Sequence, residues 1–263
     1  MVNRRLLADA WNVSSKAPLL WLAVFLPSAV PAPPSTDELW LAGACLFPLL
    51  FLLGVVSSAA VPGIVLRAHR GAPPGLKEAW AGAVPAMLRV LVFYLLLIIP
   101  AALFLIAPYL WPVPWRGVNL SPAAARIASL ALQAFAGAIV SLALAGIVIH
   151  RLNGLRALVN ALLIAFNNPL ATLGLVGLVL LSAVPGLLIN MIQTRVPLAL
   201  YLPWCPEAPA LLQPWVLADM ALQLVTAVAG LPVLVYFSAL AVLVYDQATQ
   251  KVAYPWIGRE QAG

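Results

Sequence analysis

Long apolar runs are the feature that most limits how this chain can fold. Five runs are separated by short polar segments: Leu39–Leu66, Met87–Trp111, Pro122–Ile149, Leu170–Met191 and Pro214–Tyr245. Each meets the requirement of a transmembrane helix for about 20 mostly apolar residues. Hydrophobic residues make up 64% of the chain and charged residues 8%, against about 45–50% and about 25% in soluble domains. The sequence therefore predicts an all-α, polytopic membrane protein with a single integral membrane domain over residues 1–263.

A sixth apolar run, Pro18–Val30, is shorter and has two interpretations. It contains Pro27, follows a positively charged N-terminal segment and ends in small residues that loosely resemble a cleavage site. It is therefore either a span completed by its flanks or the apolar region of a signal peptide within residues 1–30. The internal repeat described next favours a retained span, which gives a helical bundle of six transmembrane helices.

A short motif recurs before alternate spans. The segments Leu7–Trp11 and Leu76–Trp80 share the pattern Leu-x-acidic-Ala-Trp. In the third copy, Leu158–Leu162, an amide replaces the acid and Leu replaces Trp, while the spacing to the next proline equals that of the first copy. Copies that begin on the same side of the membrane are parallel repeats. Three parallel repeats, each an interfacial helix followed by two spans, are predicted at approximately 1–71, 72–154 and 155–250, with a short cytoplasmic tail at 247–263.

Basic residues in the loops predict the orientation. Loops on one side of the predicted spans carry most of the Lys and Arg, and loops on the other side carry Arg116 and Arg195. Cytoplasmic loops are enriched in these residues, so both termini are predicted to be cytoplasmic, in the cell membrane. The net charge of +6 is scattered between spans rather than gathered on one face, which argues against nucleic acid as a partner. The basic side comprises Arg4, Arg5, Lys16, Arg67, Arg70, Lys77, Arg151, Arg156, Lys251 and Arg259.

Two charged residues fall near the predicted outer ends of spans. Arg126 lies in the fourth span and Asp219 in the sixth. Charged groups in a bilayer are costly and therefore mark candidate functional positions. At matching depth the two side chains would form an ion pair across the bundle, whereas each could instead extend separately to the nearby headgroups.

Polar and small residues inside the same two spans suggest helix packing. Gln133 and Gln223 each follow Ala-Leu, and they would either hydrogen-bond between helices or line a polar path. Gly137, Ser141 and Ala145 recur at four-residue spacing in the fourth span, and small residues in this pattern allow a neighbouring helix to approach closely.

The sequence offers few residues for catalysis. His69 and His150 both lie at span ends, and Cys45 and Cys205 stand outside any CxxC pattern. The sequence has no HExxH, GxSxG or phosphate-binding glycine-rich loop. We therefore expect a protein that is not an enzyme, with no cofactor and no metal site.

A family resemblance rests on the recurring motif and on the end of the last span. Trp11 and Trp80 in the repeated unit, together with Tyr245 and Asp246, resemble the membrane domain attached to some bacterial glycerophosphoryl diester phosphodiesterases and its stand-alone relatives. The resemblance covers nearly the whole chain. It implies six helical spans and no established chemistry for the membrane part, because the phosphodiesterase activity belongs to a separate soluble barrel.

Two functions are consistent with these predictions. The first is a non-enzymatic scaffold or accessory subunit, whose partners would be the lipid bilayer and other membrane proteins. The alternative is a transporter or channel for a small or lipidic molecule, which would use Gln133, Asn190, Gln223 and Asp219. A continuous polar cavity would favour transport, and an apolar interior with exposed helix faces would favour a scaffold.

Overall fold

The computed structural model describes residues 4–28, 40–72, 74–110, 122–193 and 214–251. Side chains are described over the narrower ranges 4–27, 48–72, 74–98, 130–182, 184–185 and 221–251. The regular structure in these parts is helical. The helices are α1 (Arg4–Lys16), α2 (Pro18–Phe25), α3 (Trp40–His69), α4 (Leu76–Leu110), α5 (Pro122–Ile149), α6 (Gly154–Asn167), α7 (Pro169–Gln193) and α8 (Pro214–Lys251), with a 3₁₀ turn at Leu26–Ser28.

Four helices are long and apolar enough to cross a membrane. The candidate spans are Pro48–His69 in α3, Leu76–Ile98 in α4, Leu130–Ile149 in α5 and Ala221–Lys251 in α8. A fifth results if α6 and the first part of α7 are counted as one span, although their axes differ by 107°. The chain is therefore a multi-pass helical membrane protein, with four or five candidate spans within the described residues.

The first predicted span is described only in part. Within Pro18–Val30, α2 contributes eight residues and the 3₁₀ turn three more, which is short of the roughly 20 that cross a bilayer. The last two residues of that run lie outside the described ranges. Six spans in three repeats therefore stay a prediction.

Prolines set the starts of α2 and α7. A proline inside a helix removes a backbone donor and clashes with the preceding turn, whereas at the first helical position its missing N–H has no cost. Pro18 and Pro169 accordingly occupy the first position of α2 and α7. A helix break, here called a corner, precedes each of them. Ala17 between α1 and α2 is non-helical, with φ −111° and ψ 84°, and the axes of α6 and the first part of α7 differ by 107°.

The same local hydrogen bond closes both corners. Trp21 Nε1 donates to the carbonyl oxygen of Ser14 over 2.6 Å. Thr172 Oγ1 donates to that of Ala165 over 3.3 Å, sharing its one proton with the carbonyl oxygen of Asn168 at 3.2 Å. In each case the donor lies three residues after the proline and the acceptor four residues before it. The two corners are therefore fixed in equivalent ways.

The second motif copy has no such corner. α4 runs without interruption from Leu76 to Leu110, so the interfacial helix predicted before the third span is the first part of that span's own helix. α3 packs against α4, and Arg67 Nη1 lies 3.3 Å from Glu78 Oε2. The antiparallel contact between α3 and α4 thus continues to the start of α4, and Pro85 is accommodated within the helix.

Three helices form the centre of the bundle. α3, α5 and α8 contact one another pairwise, while α2 packs against α3 and α8, α4 against α3 and α5, and α7 against α5 and α8. Their buried residues, including Val65, Leu142 and Leu240, are apolar apart from Ser57 of α3. The shorter helices complete the assembly: α1 packs on α8 and α3, and α6 on α5 and α4.

α1 and α6 bury the same face. The buried positions of α1 are Leu6, Ala10, Val13 and Ser14, which is the spacing of an amphipathic helix. Aligning the first and third motif copies pairs Ala10 with Ala161, and the four buried positions of α1 then fall on four of the five of α6. The buried residues of α6 are Ala157, Asn160, Ala161, Ile164 and Ala165.

Candidate functional site

Exposed cations gather at one end of the bundle. Here α3, α5 and α8 end and α4 and α6 begin, and we name this the basic end. It is defined by the exposed residues Arg67, Arg70, Lys77, Arg151, Arg156 and Lys251. Two groups of polar residues lie there, one around Tyr245 and one in a cavity beside Lys251.

Tyr245 packs where α5 crosses α8. Its side chain is fully buried, and its ring lies against the backbone of Gly146. A methyl group built at Gly146 would lie 2.8 Å from Tyr245 Oη and 3.2 Å from Cζ. Helix α5 can therefore approach this close to α8 only because position 146 lacks a side chain. Tyr245 belongs to the residues that carry the family resemblance, whereas Gly146 does not and is marked in the sequence only as the first residue of the last turn of α5.

His150 and Asp246 lie beside that contact. The rings of His150 and Tyr245 have centroids 5.8 Å apart, and Asp246 Oδ2 accepts a hydrogen bond from Gln250 Nε2 over 2.8 Å. His150 Nε2 is buried and, within the described residues, has no hydrogen-bond partner. Burial lowers the pKa of the His150 imidazole below its usual value, and the nearby Asp246 carboxylate opposes part of that shift. This group can bind or release a proton.

The turn that follows His150 is tightly defined. Arg151 has a φ of 54°, a left-handed conformation that non-glycine residues adopt infrequently. The amide of His150 donates to the carbonyl of Gly146 over 3.1 Å, and Asn153 caps α6 by accepting from the amide of Arg156. These contacts end α5 and start α6 within a few residues, which holds His150 against α8.

Acidification should destabilise the protein through His150. Because folding lowers the pKa of this group, the unfolded chain binds a proton near its ordinary pKa of about 6.5 while the folded chain resists protonation. The stabilising contribution is present above that pH and is lost as the pH falls towards the folded-state pKa. The thermal unfolding midpoint in detergent, followed by tryptophan fluorescence, should therefore drop between pH 7.5 and 5.5, and drop less in His150→Gln.

His69 provides the matched control for this prediction. It is an exposed histidine near the end of α3, so His69→Gln should keep the pH dependence of the unmodified chain. Equal pH dependence of His150→Gln and the unmodified protein would contradict the assignment.

A cavity of about 160 Å³ also lies at the basic end. It is formed by α1, the corner between α6 and α7, and the last turns of α8. Asn167, Gln247 and Lys251 contribute polar groups to its lining. The amide of Asn168 also lines it, and its Nδ2 already donates to the carbonyl of Ile164 over 3.1 Å.

Asn160 is a further buried polar residue, on α6. It is fully buried on α6, and neither Nδ2 nor Oδ1 has a hydrogen-bond partner among the described residues. It occupies the motif position of Asp9 and Glu78, which are half-buried and exposed. The change from acid to amide in the third copy therefore coincides with burial of the position.

The charged and amide residues predicted inside the spans are not brought into one site. Arg126 lies on α5 and Asp219 on α8, but their side chains, like that of Asn190, are outside the described residues. Gln133 is exposed and Gln223 is half-buried. The ion pair and the polar path stay predictions.

Of the small residues Gly137, Ser141 and Ala145 on α5, Gly137 faces α7. A methyl group built at Gly137 would lie 3.9 Å from Val179 Cγ1, which is ordinary contact. Ser141 Oγ donates to the carbonyl of Gly137 over 2.9 Å, and Ala145 is fully buried.

The two motif tryptophans lie on the surface. Trp11 is 67% and Trp80 54% exposed, and the Trp11 ring lies 6.5 Å from that of Tyr236 on α8. Tyr236 Oη also donates to the carbonyl of Leu7 over 3.3 Å. The first copy of the motif therefore lies against α8, whereas Trp80 projects from the start of α4.

Comparison with known proteins gives no match. No protein-family model matches the chain, and no match was found among curated proteins or solved structures. The resemblance carried by Trp11, Trp80, Tyr245 and Asp246 therefore stays a prediction. Within the described ranges, no three His, Cys, Asp or Glu residues are placed to hold a metal ion.

Proposed function

We propose that this chain is a non-enzymatic scaffold or accessory subunit of a membrane complex, with both termini in the cytoplasm. The observation that carries the proposal is the apolar packing of the bundle. α3, α5 and α8 meet one another through buried side chains that are mostly aliphatic or alanine, with the aromatic Tyr245 between α5 and α8. A transport path needs polar groups or an open pore through the membrane, and tightly packed apolar side chains are suited instead to a rigid support.

The buried polar groups are consistent with this role. Among the described side chains, the buried polar residues are Ser14, Ser57, Asn160 and Thr172. Ser14, Ser57 and Thr172 donate to backbone carbonyls of α1, α2 and α6, respectively. The Ser14 bond lies within α1, whereas the Ser57 and Thr172 bonds join α3 to α2 and α7 to α6. With these donors engaged, few buried polar groups among the described side chains are left to coordinate a substrate.

The outer surface supplies apolar area for lipids and partner subunits. Leu76, Trp80, Val84, Leu88 and Val92 recur every four residues along α4 and are all exposed. Because this stripe runs along a candidate span, it is suited to contact with acyl chains or with another membrane helix.

The proposal includes a ring of three repeats. In support, α2, α4 and α7 each pack between two of the three central helices, in a cyclic order that the chain follows. The corners at Pro18 and Pro169 are closed by equivalent hydrogen bonds, and α1 and α6 bury equivalent positions. A closed ring of similar units would present related surfaces to several partners.

The mass of the native particle tests the proposal. Extraction of the tagged chain from its own membrane in mild detergent should give a particle well above its 27.9 kDa, with other membrane proteins present in fixed ratio. Light scattering of the size-exclusion peak and mass spectrometry measure these quantities. A second tagged multi-pass protein purified in parallel identifies non-specific companions.

The opposite result favours the alternative function. A particle that contains this chain alone, together with solute or lipid flux when the protein is reconstituted in liposomes, would contradict the scaffold and support a transporter or channel.

A further inference from the structure

We propose that the cavity at the basic end binds a phosphate group, and in particular the phosphodiester headgroup of an anionic lipid. This inference concerns a binding site and holds whether the chain acts as a scaffold or as a transporter. It rests on the shape of the cavity, on the charge of its lining and on its place at the end of a candidate span.

The cavity has the size of a small anion. One water molecule needs about 10–15 Å³ of space open to its centre, so the corresponding volume of about 160 Å³ has room for several waters or one phosphate group. Its walls come from three separate parts of the chain, namely α1, the α6–α7 corner and α8. The corner is fixed by the hydrogen bonds of Asn168 and Thr172 to α6, so the cavity does not depend on a single mobile loop.

The polar lining consists of donors without a competing acid. Lys251 provides a positive charge, and the side-chain amides of Asn167 and Gln247 provide further N–H donors. Among the described residues that line the cavity, none is acidic. Hydrogen bonds from a lysine ammonium to phosphate are short and strong because both partners are charged. The Lys251 charge favours an anion over a cation, and the amide N–H groups add donors to it.

The apolar wall favours a lipid as the source of that phosphate. Leu6, Leu170 and Val244 line the same cavity, so an occupant that carries both a phosphate and an acyl chain would satisfy both parts. Lys251 ends the candidate span Ala221–Lys251, a position at which lysine extends to the headgroup level. Basic pockets between membrane helices are suited to anionic lipid headgroups.

Native mass spectrometry of the full chain in detergent tests the site. The purified protein is titrated with phosphatidylglycerol, with phosphatidylcholine and with inorganic phosphate. We expect phosphatidylglycerol to bind more tightly than phosphatidylcholine, and Lys251→Gln to weaken phosphatidylglycerol binding by about tenfold, the effect of losing one charged hydrogen bond. Asn167→Asp, which adds a negative charge at an exposed position, should weaken it at least as much.

Lys77→Gln is the matched control. Lys77 is also exposed at the basic end but does not line the cavity, so this variant should retain the affinity of the unmodified chain. An equal loss in Lys77→Gln would show general attraction to a basic surface and would overturn the site. Unchanged affinity in both Lys251→Gln and Asn167→Asp would overturn it as well.

The phosphate titration identifies the source of the ligand. Competition between inorganic phosphate and phosphatidylglycerol would support one shared phosphate subsite occupied by the lipid. Saturable binding of inorganic phosphate that is lost in Lys251→Gln, without a preference for phosphatidylglycerol, would support the phosphate site and assign it to a soluble phosphate.

Discussion

A Gly146→Ala variant is expected to lose about 2 kcal/mol of unfolding free energy, a fall of roughly 4–8 °C in the thermal midpoint. The added methyl would lie 2.8 Å from Tyr245 Oη and 3.2 Å from Cζ. Tyr245 is fully buried, so its ring cannot swing into solvent, and α5 and α8 would have to separate. Thermal unfolding in detergent, followed by tryptophan fluorescence, measures the change.

Gly63→Ala is the control for this substitution. Gly63 lies in the last two turns of α3, and a methyl built there has no atom within 4 Å outside its own helical turn. Alanine favours a helix by about 1 kcal/mol relative to glycine. This variant should therefore be as stable as the unmodified chain or slightly more stable.

A second substitution tests the cause of the loss. Tyr245→Phe removes the hydroxyl, which is the atom closest to the new methyl, while the ring carbons remain. The Gly146→Ala/Tyr245→Phe double variant should therefore recover part of the loss, with a favourable coupling energy in the double-mutant cycle. Strictly additive effects of the two substitutions would show that the contact between residues 146 and 245 is not the source.

Hydropathy was sufficient to predict where most of the helices lie. The apolar run Pro122–Ile149 coincides with α5, and the run Leu39–Leu66 nearly coincides with α3. These boundaries could be predicted because a span is defined by a local property, the length of an apolar segment. The starts of α2 and α7 at prolines follow from a local property too, because a proline affects only its own turn of helix and the preceding one.

The start of α4 could not be predicted from the same local signals. The motif Leu76–Trp80 resembles the first copy, yet α4 continues through it without a corner. In the first copy the proline follows Trp11 by seven residues, and in the second Pro85 follows Trp80 by five. The contact of this segment with α3, which includes Arg67 and Glu78, is tertiary and was not visible in the sequence.

The polar groups at the basic end were predicted only in part. Tyr245 and Asp246 were identified by their place at the end of the last span, but the partners of Tyr245 come from α5, about 100 residues earlier. The cavity beside Lys251 combines residues from α1, α6, α7 and α8. No periodicity within one helix can indicate such a combination, because it depends on how the helices pack.

Substitutions at Asn160 should give opposite changes in stability. Asn160 is fully buried with both side-chain polar atoms unpaired among the described residues, and such groups cost about 1–3 kcal/mol. Asn160→Leu removes them at similar volume and should raise the thermal midpoint by several degrees. Asn160→Asp should lower it further than any other variant considered, because an unpaired buried carboxylate costs several kcal/mol.

The position of the acid in the other two motif copies explains why the third copy carries an amide. Asp9 is half-buried and Glu78 is exposed, so both carboxylates keep contact with solvent. α6 packs on α5, α4, α7 and α8, which removes position 160 from solvent altogether. An amide can occupy such a position at much lower cost than a charge.

The pH dependence of the Asn160→Asp variant shows whether its loss of stability comes from the buried charge or from altered packing. Burial raises the pKa of a carboxyl above its unfolded value of about 3.9, so the destabilisation should grow as the pH rises above that value and shrink towards pH 4. Asn12→Asp, at an exposed position of α1, should show no such growth. A loss of stability in Asn160→Leu equal to that in Asn160→Asp would mean instead that the amide is hydrogen-bonded in the folded protein, and that burial without partners does not describe it.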